Sequence, residues 1–398
     1  MKTNVKRLAA FGRAGLLLIA TALLAACSQT VPRGLPSSNP LPLSGGVTAT
    51  PATGEVIGNG ETRVALLLPL SAEGNGGRIA AEFRNAALMA LEDAGADALQ
   101  IVIKDTESGV EAAAASAVAE GAALVLGPVF APNVRNAAAM LGPRGPTMIA
   151  FSSDRTVARH NVYLNSYLPE GLIDRILSHA VSQGYRRVVA IVPTGAAGDI
   201  DEAQARATLT RAGGELVAVS RYDYDNASVQ AAAQDVAMAV ADADAIFLPD
   251  GGSSPSAIVA ALTRMGVDLR EKRLLGTGQW ASVDLTDPNL QGAWFADTDR
   301  ARMSLYKARY RQRFGTEPSV TSALGYDSVL LTATLVRSGS PAAAISPADL
   351  EVPAGFAGYT GAFRFRSDGT PQRGYAVYEV AEGEARLISP APAGFVGS

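Results

Sequence analysis

The stretch VALLLPLSAEGNGGRIAAEFRNAALMALEDAGADALQIVIKD, residues 64–105, decides the fold. It opens on VALLLPL (64–70), an unbroken apolar run of strand length, the pattern of a strand covered on both faces. Ile79, Phe83, Ala87 and Leu91 then recur at helical spacing, and the pattern stops near Gly95. LQIVIKD (99–105) is a second strand. A strand, an amphipathic helix and another strand in succession form the unit from which parallel sheets are wound.

The alternation continues outward. A helix over 109–119, strand ALVLGP (123–128), a helix over 132–141 and strand TMIAFS (147–152) complete one series. A second series follows: helix 170–182, strand RVVAIVP (187–193), helix 200–212, strand ELVAVSRY (215–222), helix 228–240, strand AIFLPD (245–250), helix 254–265 and strand RLLGTG (273–278). Two series predict an α/β protein of two doubly wound parallel-sheet lobes joined by crossovers, with a cleft between them. A weak internal echo, LVLGPVFAPNVRNAAAMLGPRGPTMIAF against IFLPDGGSSPSAIVAALTRMGVDLREKRLLGT, fits a duplicated lobe. Two longer helices (300–314 and 320–337) precede YTGAFRFRSDGTPQRGYAVYEV, where Phe363 and Phe365 alternate with arginines and Ser367-Asp368-Gly369 turns the chain. That pattern predicts an antiparallel hairpin, with Val377 and Glu379 on the returning strand.

Upstream of residue 62 the chain changes character. Lys2, Lys6, Arg7 and Arg13 precede the apolar run 15–22, and Leu24-Ala25-Ala26 stands before Cys27, the only cysteine. This order predicts a lipoprotein signal peptide over 1–26, cut before a lipidated Cys27 that anchors the protein to a membrane. The run is too short for a spanning helix. Residues 27–61 are rich in Pro, Gly, Ser and Thr and read as a flexible tether to a body over 62–389. Removing 1–26 takes away four positive and no negative charges, moving the formal charge from −4 to −8. An acidic mature chain argues against nucleic acid as a partner. With no cysteine pair, stability outside the cytoplasm must come from packing.

Several segments together resemble the leucine/isoleucine/valine-binding branch of the type I periplasmic binding proteins. The opening 64–95, LVLGPVFAPN (124–133), YKARYRQRFGTEPSVTSALGYDSVLLTATLV (306–336) and GYTGAFRFRSDGTPQRGYAVYEV (358–380) carry the likeness, which spans roughly residues 62–389. The resemblance implies a first lobe over about 62–165 and 297–355 and a second over about 166–296 and 356–389. It also implies a ligand held between the lobes at the strand ends. Ser71, Ser152, Ser153, Asp250, Gln279 and Trp280 fall at such ends and are the candidate cleft residues, for a small amino-acid-like ligand. Amino-acid binders of this branch place small hydroxylated residues after the third strand to hold the ligand carboxylate, whereas this chain has Val129-Phe130-Ala131-Pro132. The architecture also resembles outer-membrane lipoproteins that activate penicillin-binding proteins, the peptidoglycan synthases. Ser28 after Cys27 resembles their outer-membrane sorting signal, though those activators carry a further helical-repeat domain. The resemblance thus implies either such a synthase or an ABC-transporter permease as protein partner, and a periplasmic location.

Catalytic sets are incomplete. Ser304-Leu305-Tyr306-Lys307 matches Ser-x-x-Lys, but the companion Ser-Asp-Asn and Lys-Thr-Gly motifs are missing from the body. Met303, Tyr306, Tyr310 and Phe314 read as the buried stripe of that helix, which leaves Lys307 and the neighbouring arginines solvated. His160 and His179 are the only histidines, and neither lies in a zinc or triad pattern. No nucleotide or calcium loop is present, so the sequence predicts a non-enzymatic protein without a cofactor or metal.

Overall fold

In the computed structural model, residues 50–339 and 344–395 are described; the expected signal peptide, Cys27 and the tether up to residue 49 lie outside them. All described residues belong to one unit, Ala49–Ser398. Its chain builds two large sheets and a small three-stranded one. The first follows the order β1(Glu55–Ile57), β3(Gln100–Asp105), β2(Arg63–Leu68), β4(Leu124–Leu126), β5(Thr147–Ala150) and β6(Val162–Leu164). Every pairing in it is parallel except β1 on β3. The second follows β16(Glu384–Ser389), β15(Ala376–Ala381), β11(Trp294–Asp297), β10(Arg273–Gly276), β9(Ala245–Phe247), β7(Arg187–Pro193) and β8(Glu215–Tyr222).

Period-two burial explains both sheets. Val64, Leu66 and Leu68 of β2 face one apolar cluster while Ala65 and Leu67 face another, so the strand is buried on both sides. In β7, Val189 and Ile191 face one cluster and Val188, Ala190 and Val192 the other. Helices α1(Asn75–Ala94), α2(Val110–Ala119) and α3(Ala131–Leu141) cover the first sheet; α4(Pro169–Ser182), α5(Ala196–Ala212), α6(Asn226–Ala241) and α7(Ser254–Arg264) cover the second. The chain then returns: α8(Arg300–Phe314) and α9(Ser322–Arg337) place Met303, Tyr306, Tyr310, Tyr326 and Val329 in the first lobe's core. Where α9 meets α1, a Cβ on Gly325 would stand 2.8 Å from Phe83 Cδ1, so glycine sets that approach.

Three crossovers join the lobes: 165–168 between β6 and α4, 298–299 between β11 and α8, and Gly374-Tyr375 after β14(Pro371–Arg373). Arg373 ties the first to the third. Its buried guanidinium donates to the Ser166 carbonyl (2.8 Å), to Thr360 Oγ1 (2.9 Å) and to Asn165 Oδ1. Asp327, of the Gly325-Tyr326-Asp327 run, accepts from the Tyr359 and Thr360 amides at 2.9 and 2.8 Å.

Three expectations are corrected. Residues 356–373, expected in the second lobe, form β12(Phe356–Gly358), β13(Gly361–Phe365) and β14, whose Phe363 and Phe365 pack in the first lobe's core. Val377 and Glu379 do not return along Phe363: the chain crosses at Gly374, and β15 joins β11 and β16 in the second sheet. The end of the expected tether is also folded. β-Branched Val56 and Ile57 pair with β3, and Thr53 joins the buried Lys104–Glu120 ion pair. Gly54 and Gly58, at φ +123° and +76°, provide the bends on either side.

Candidate functional site

In the second sheet β8 and β9 lie on opposite sides of β7, so the strand order reverses between β7 and β9, and open α/β sheets bind ligands outside the strand ends at such a point. A cavity of about 800 Å³ opens there. Pro193 at the end of β7, Tyr224 after β8, and Pro249 and Asp250 after β9 form its wall with Ala197 and Asp201 of α5. Thr277, Gly278 and Gln279 after β10 extend it. The crossovers contribute Tyr167, Asp297, Thr298 and Tyr375. The first lobe contributes Arg300, Met303, Ser304 and Lys307 from α8, with Val320 and Thr321. A second cavity of about 600 Å³, rich in arginine, shares Tyr375 with the first but none of the residues at the β7–β9 switch point.

Of the six expected cleft residues, Asp250 and Gln279 line the cavity. Asp250 accepts from Tyr222 Oη (2.8 Å) and from the Gly251 amide (2.9 Å), which fixes its carboxylate at the end of β9. Ser71, Ser152, Ser153 and Trp280 do not line it. Ser71 Oγ donates to Asp105 Oδ2 at 2.6 Å, joining the ends of β2 and β3. Ser152 is buried and accepts from the Asp154 amide, while Ser153 is exposed. Trp280 is wholly buried, donates to the Leu248 carbonyl at 2.9 Å and stacks on Phe295 in the second lobe's core. A Cβ on Gly276 would meet its ring at 2.3 Å, so the indole has a niche inside the lobe, not in the cleft.

Electrostatics divide the cavity. Asp201 is 9% exposed, and burial, reinforced by the charges of Asp250 and Glu170, pushes its carboxyl up to about 7. It has no hydrogen-bond or ion-pair partner among the described residues. Burial also raises Asp297 above the usual carboxylate range, although Arg300 Nε lies 3.0 Å from it. Sequence reasoning missed Asp201, whose signal was only an acidic run, Asp-Ile-Asp-Glu (199–202), near a helix start. It did single out Ser304 and Lys307, but as a failed catalytic motif on a solvated face. Both remain partly open to solvent, and they line the cavity at helical spacing with Arg300 and Met303. The other arginines of α8 are engaged as well: Arg302 pairs with Asp299, Arg309 with Asp93, Arg311 with Glu317 and Arg313 with Glu92. Among the described residues, no group of three His, Cys, Asp or Glu side chains could hold a metal ion, and no helix is long and apolar enough to cross a membrane.

Comparison with known proteins gives consistent results. A family model described as periplasmic binding protein matches residues 61–385. No curated protein matches the chain. Among solved structures, a protein described as a branched-chain amino acid ABC transporter from Rhodospirillum rubrum superposes with a TM-score of 0.71 at 18% identity, covering 82% of this chain and 99% of that one. The C-domain of Haemophilus influenzae LpoA, a regulator of PBP1A, superposes with a TM-score of 0.64 at 16% identity, covering 82% of this chain and 100% of that one. A longer Haemophilus influenzae LpoA structure gives a TM-score of 0.65 at 17% identity, covering 84% of this chain but 59% of that one. At these identities the structures speak for the fold, and they include both a protein described as an ABC transporter and a regulator of PBP1A. Through the family match along most of its length and the two-lobed parallel-sheet architecture, the chain belongs to the periplasmic binding protein family.

Proposed function

We propose that the protein is a non-catalytic, lipid-anchored lipoprotein of the leucine-binding-protein type that activates a penicillin-binding protein, and hence peptidoglycan synthesis, from the outer membrane. The observation that carries this reading is the state of the first lobe. The turns after β2, β4 and β5 put no side chain into the cavity, although the resemblance implies that an amino-acid binder holds its ligand's carboxylate after the third strand, here β4. Val129-Phe130-Ala131-Pro132 replaces hydroxyls with apolar groups, and Ser71 and Ser152 hydrogen-bond within the protein. The Leu-Ala-Ala-Cys27-Ser28 order supports the anchor and its sorting, and the likeness to the LpoA C-domain supports the partner class.

One feature favours a second reading, the amino-acid-binding component of an ABC importer. The Tyr222–Asp250 pair at the switch point is suited to a ligand ammonium, and Gln279 stands on the same wall. Crosslinking in living cells, followed by identification of the captured protein, separates the two. A peptidoglycan synthase is the expected partner, and its loss in a Cys27→Ser strain ties activation to the anchor. Recovery of transporter permeases without any synthase refutes the activator reading.

A further inference from the structure

The cavity carries opposite charges on opposite lobes. On the second lobe Asp201 is nine-tenths buried with no partner among the described residues, next to the switch-point carboxylate of Asp250. A largely buried carboxylate without a protein donor, open to the cavity, favours a cation or a hydrogen-bond donor placed there. On the first lobe α8 turns Ser304 and Lys307 into the same space. Lys307 Nζ reaches its nearest carboxylate, Glu317 Oε1, only at 3.7 Å, beyond a hydrogen bond, so its donors remain available to a ligand.

We infer that the cleft takes a short zwitterionic peptide, with its ammonium on Asp201 and Asp250 and its carboxylate on Ser304 and Lys307. This rests on the reading of the cleft as a ligand site, whichever protein is the partner. A free α-amino acid would fill only a small part of a cavity of about 800 Å³. A peptide separates its charged ends by its own backbone and leaves side chains for the apolar surface of Leu172, Met303 and Val320. The volume of about 800 Å³ accommodates such a molecule. The first lobe thereby holds an anion through a helix and not through the strand-end turns that the family resemblance implies.

The test uses the full chain purified in detergent, with calorimetry on three probes: Ala-Leu-Ala, the same peptide acetylated and amidated at its ends, and L-leucine. Ala-Leu-Ala is expected to bind, the blocked peptide to lose binding, and leucine to bind at least about tenfold more weakly. Asp201→Asn and Lys307→Gln should each weaken the free peptide by about tenfold or more. Neither substitution removes a tight internal contact, so unliganded melting at or above the wild-type temperature shows that the variants fold. Peptide binding that survives both substitutions, or leucine binding as tightly as the peptide, overturns the inference while keeping the cleft as a ligand site. Binding of none of the probes overturns both.

Discussion

Replacing Asp201 by Asn should make the unliganded protein more stable, and only above acidic pH. The carboxyl is raised from an ordinary 3.8 to about 7, first by burial and then by the charges of Asp250 and Glu170. Three units at about 1.4 kcal/mol each give an upper bound of about 4 kcal/mol. The sign follows from linkage. The unfolded chain releases this proton near pH 4 while the folded chain holds it until near pH 7, so the wild type loses stability as pH rises through that window. Asn carries no proton to lose and has nearly the same shape. Urea unfolding at pH 4, 6 and 8 should therefore show equal stabilities at pH 4, a gap opening at pH 6 and a full gap at pH 8. A gap constant across this range, or a less stable Asn variant at pH 8, would refute the reasoning about Asp201.

Two further outcomes are expected. Lys104→Met leaves Glu120 buried without its cation and should cost about 3–5 kcal/mol in urea unfolding; burial alone would raise Glu120, but hydrogen bonds from Thr53, Lys104 and Ser116 hold it at about 2, so the loss should persist down to pH 5 and shrink only in stronger acid. Arg373→Met abandons Asn165, Ser166 and Thr360 at the crossovers and should destabilise by on the order of 3 kcal/mol, with hydrogen exchange rising first at 165–168.

The architecture was legible because burial on both faces writes itself as continuous apolar strands, as in VALLLPL and RVVAIVP, and because helices keep a 3.6 period. What escaped were short elements whose stability is borrowed from neighbours. β1, β6 and β12 have three residues each, and only their ladders define them. The site was half legible. Asp250 and Gln279 follow from strand ends, whereas Trp280 sits one residue from Gln279 and points into the core, because the 3-10 turn of 278–282 separates their directions. Asp201, Ser304 and Lys307 lie on helices, and nothing in a single helix tells which of its polar positions will face a cavity formed by a distant lobe. The hairpin of 361–365 was recognised, but its return was placed one strand too far because Gly374 carries the chain across to the other sheet.

The strap formed by residues 53–57 gives the molecule a mechanical polarity. Any pull arriving along the chain from its N-terminal side first meets the Thr53 clasp on Lys104 and Glu120 and then β1, lying antiparallel on β3. Tension along a strand in this geometry loads its ladder in shear, so the bonds share the force and do not open one at a time. The load ends in the first lobe and bypasses the three crossovers. If the proposed lipid anchor holds the chain, tension would thus be borne by the first lobe while the crossovers to the second stay unloaded.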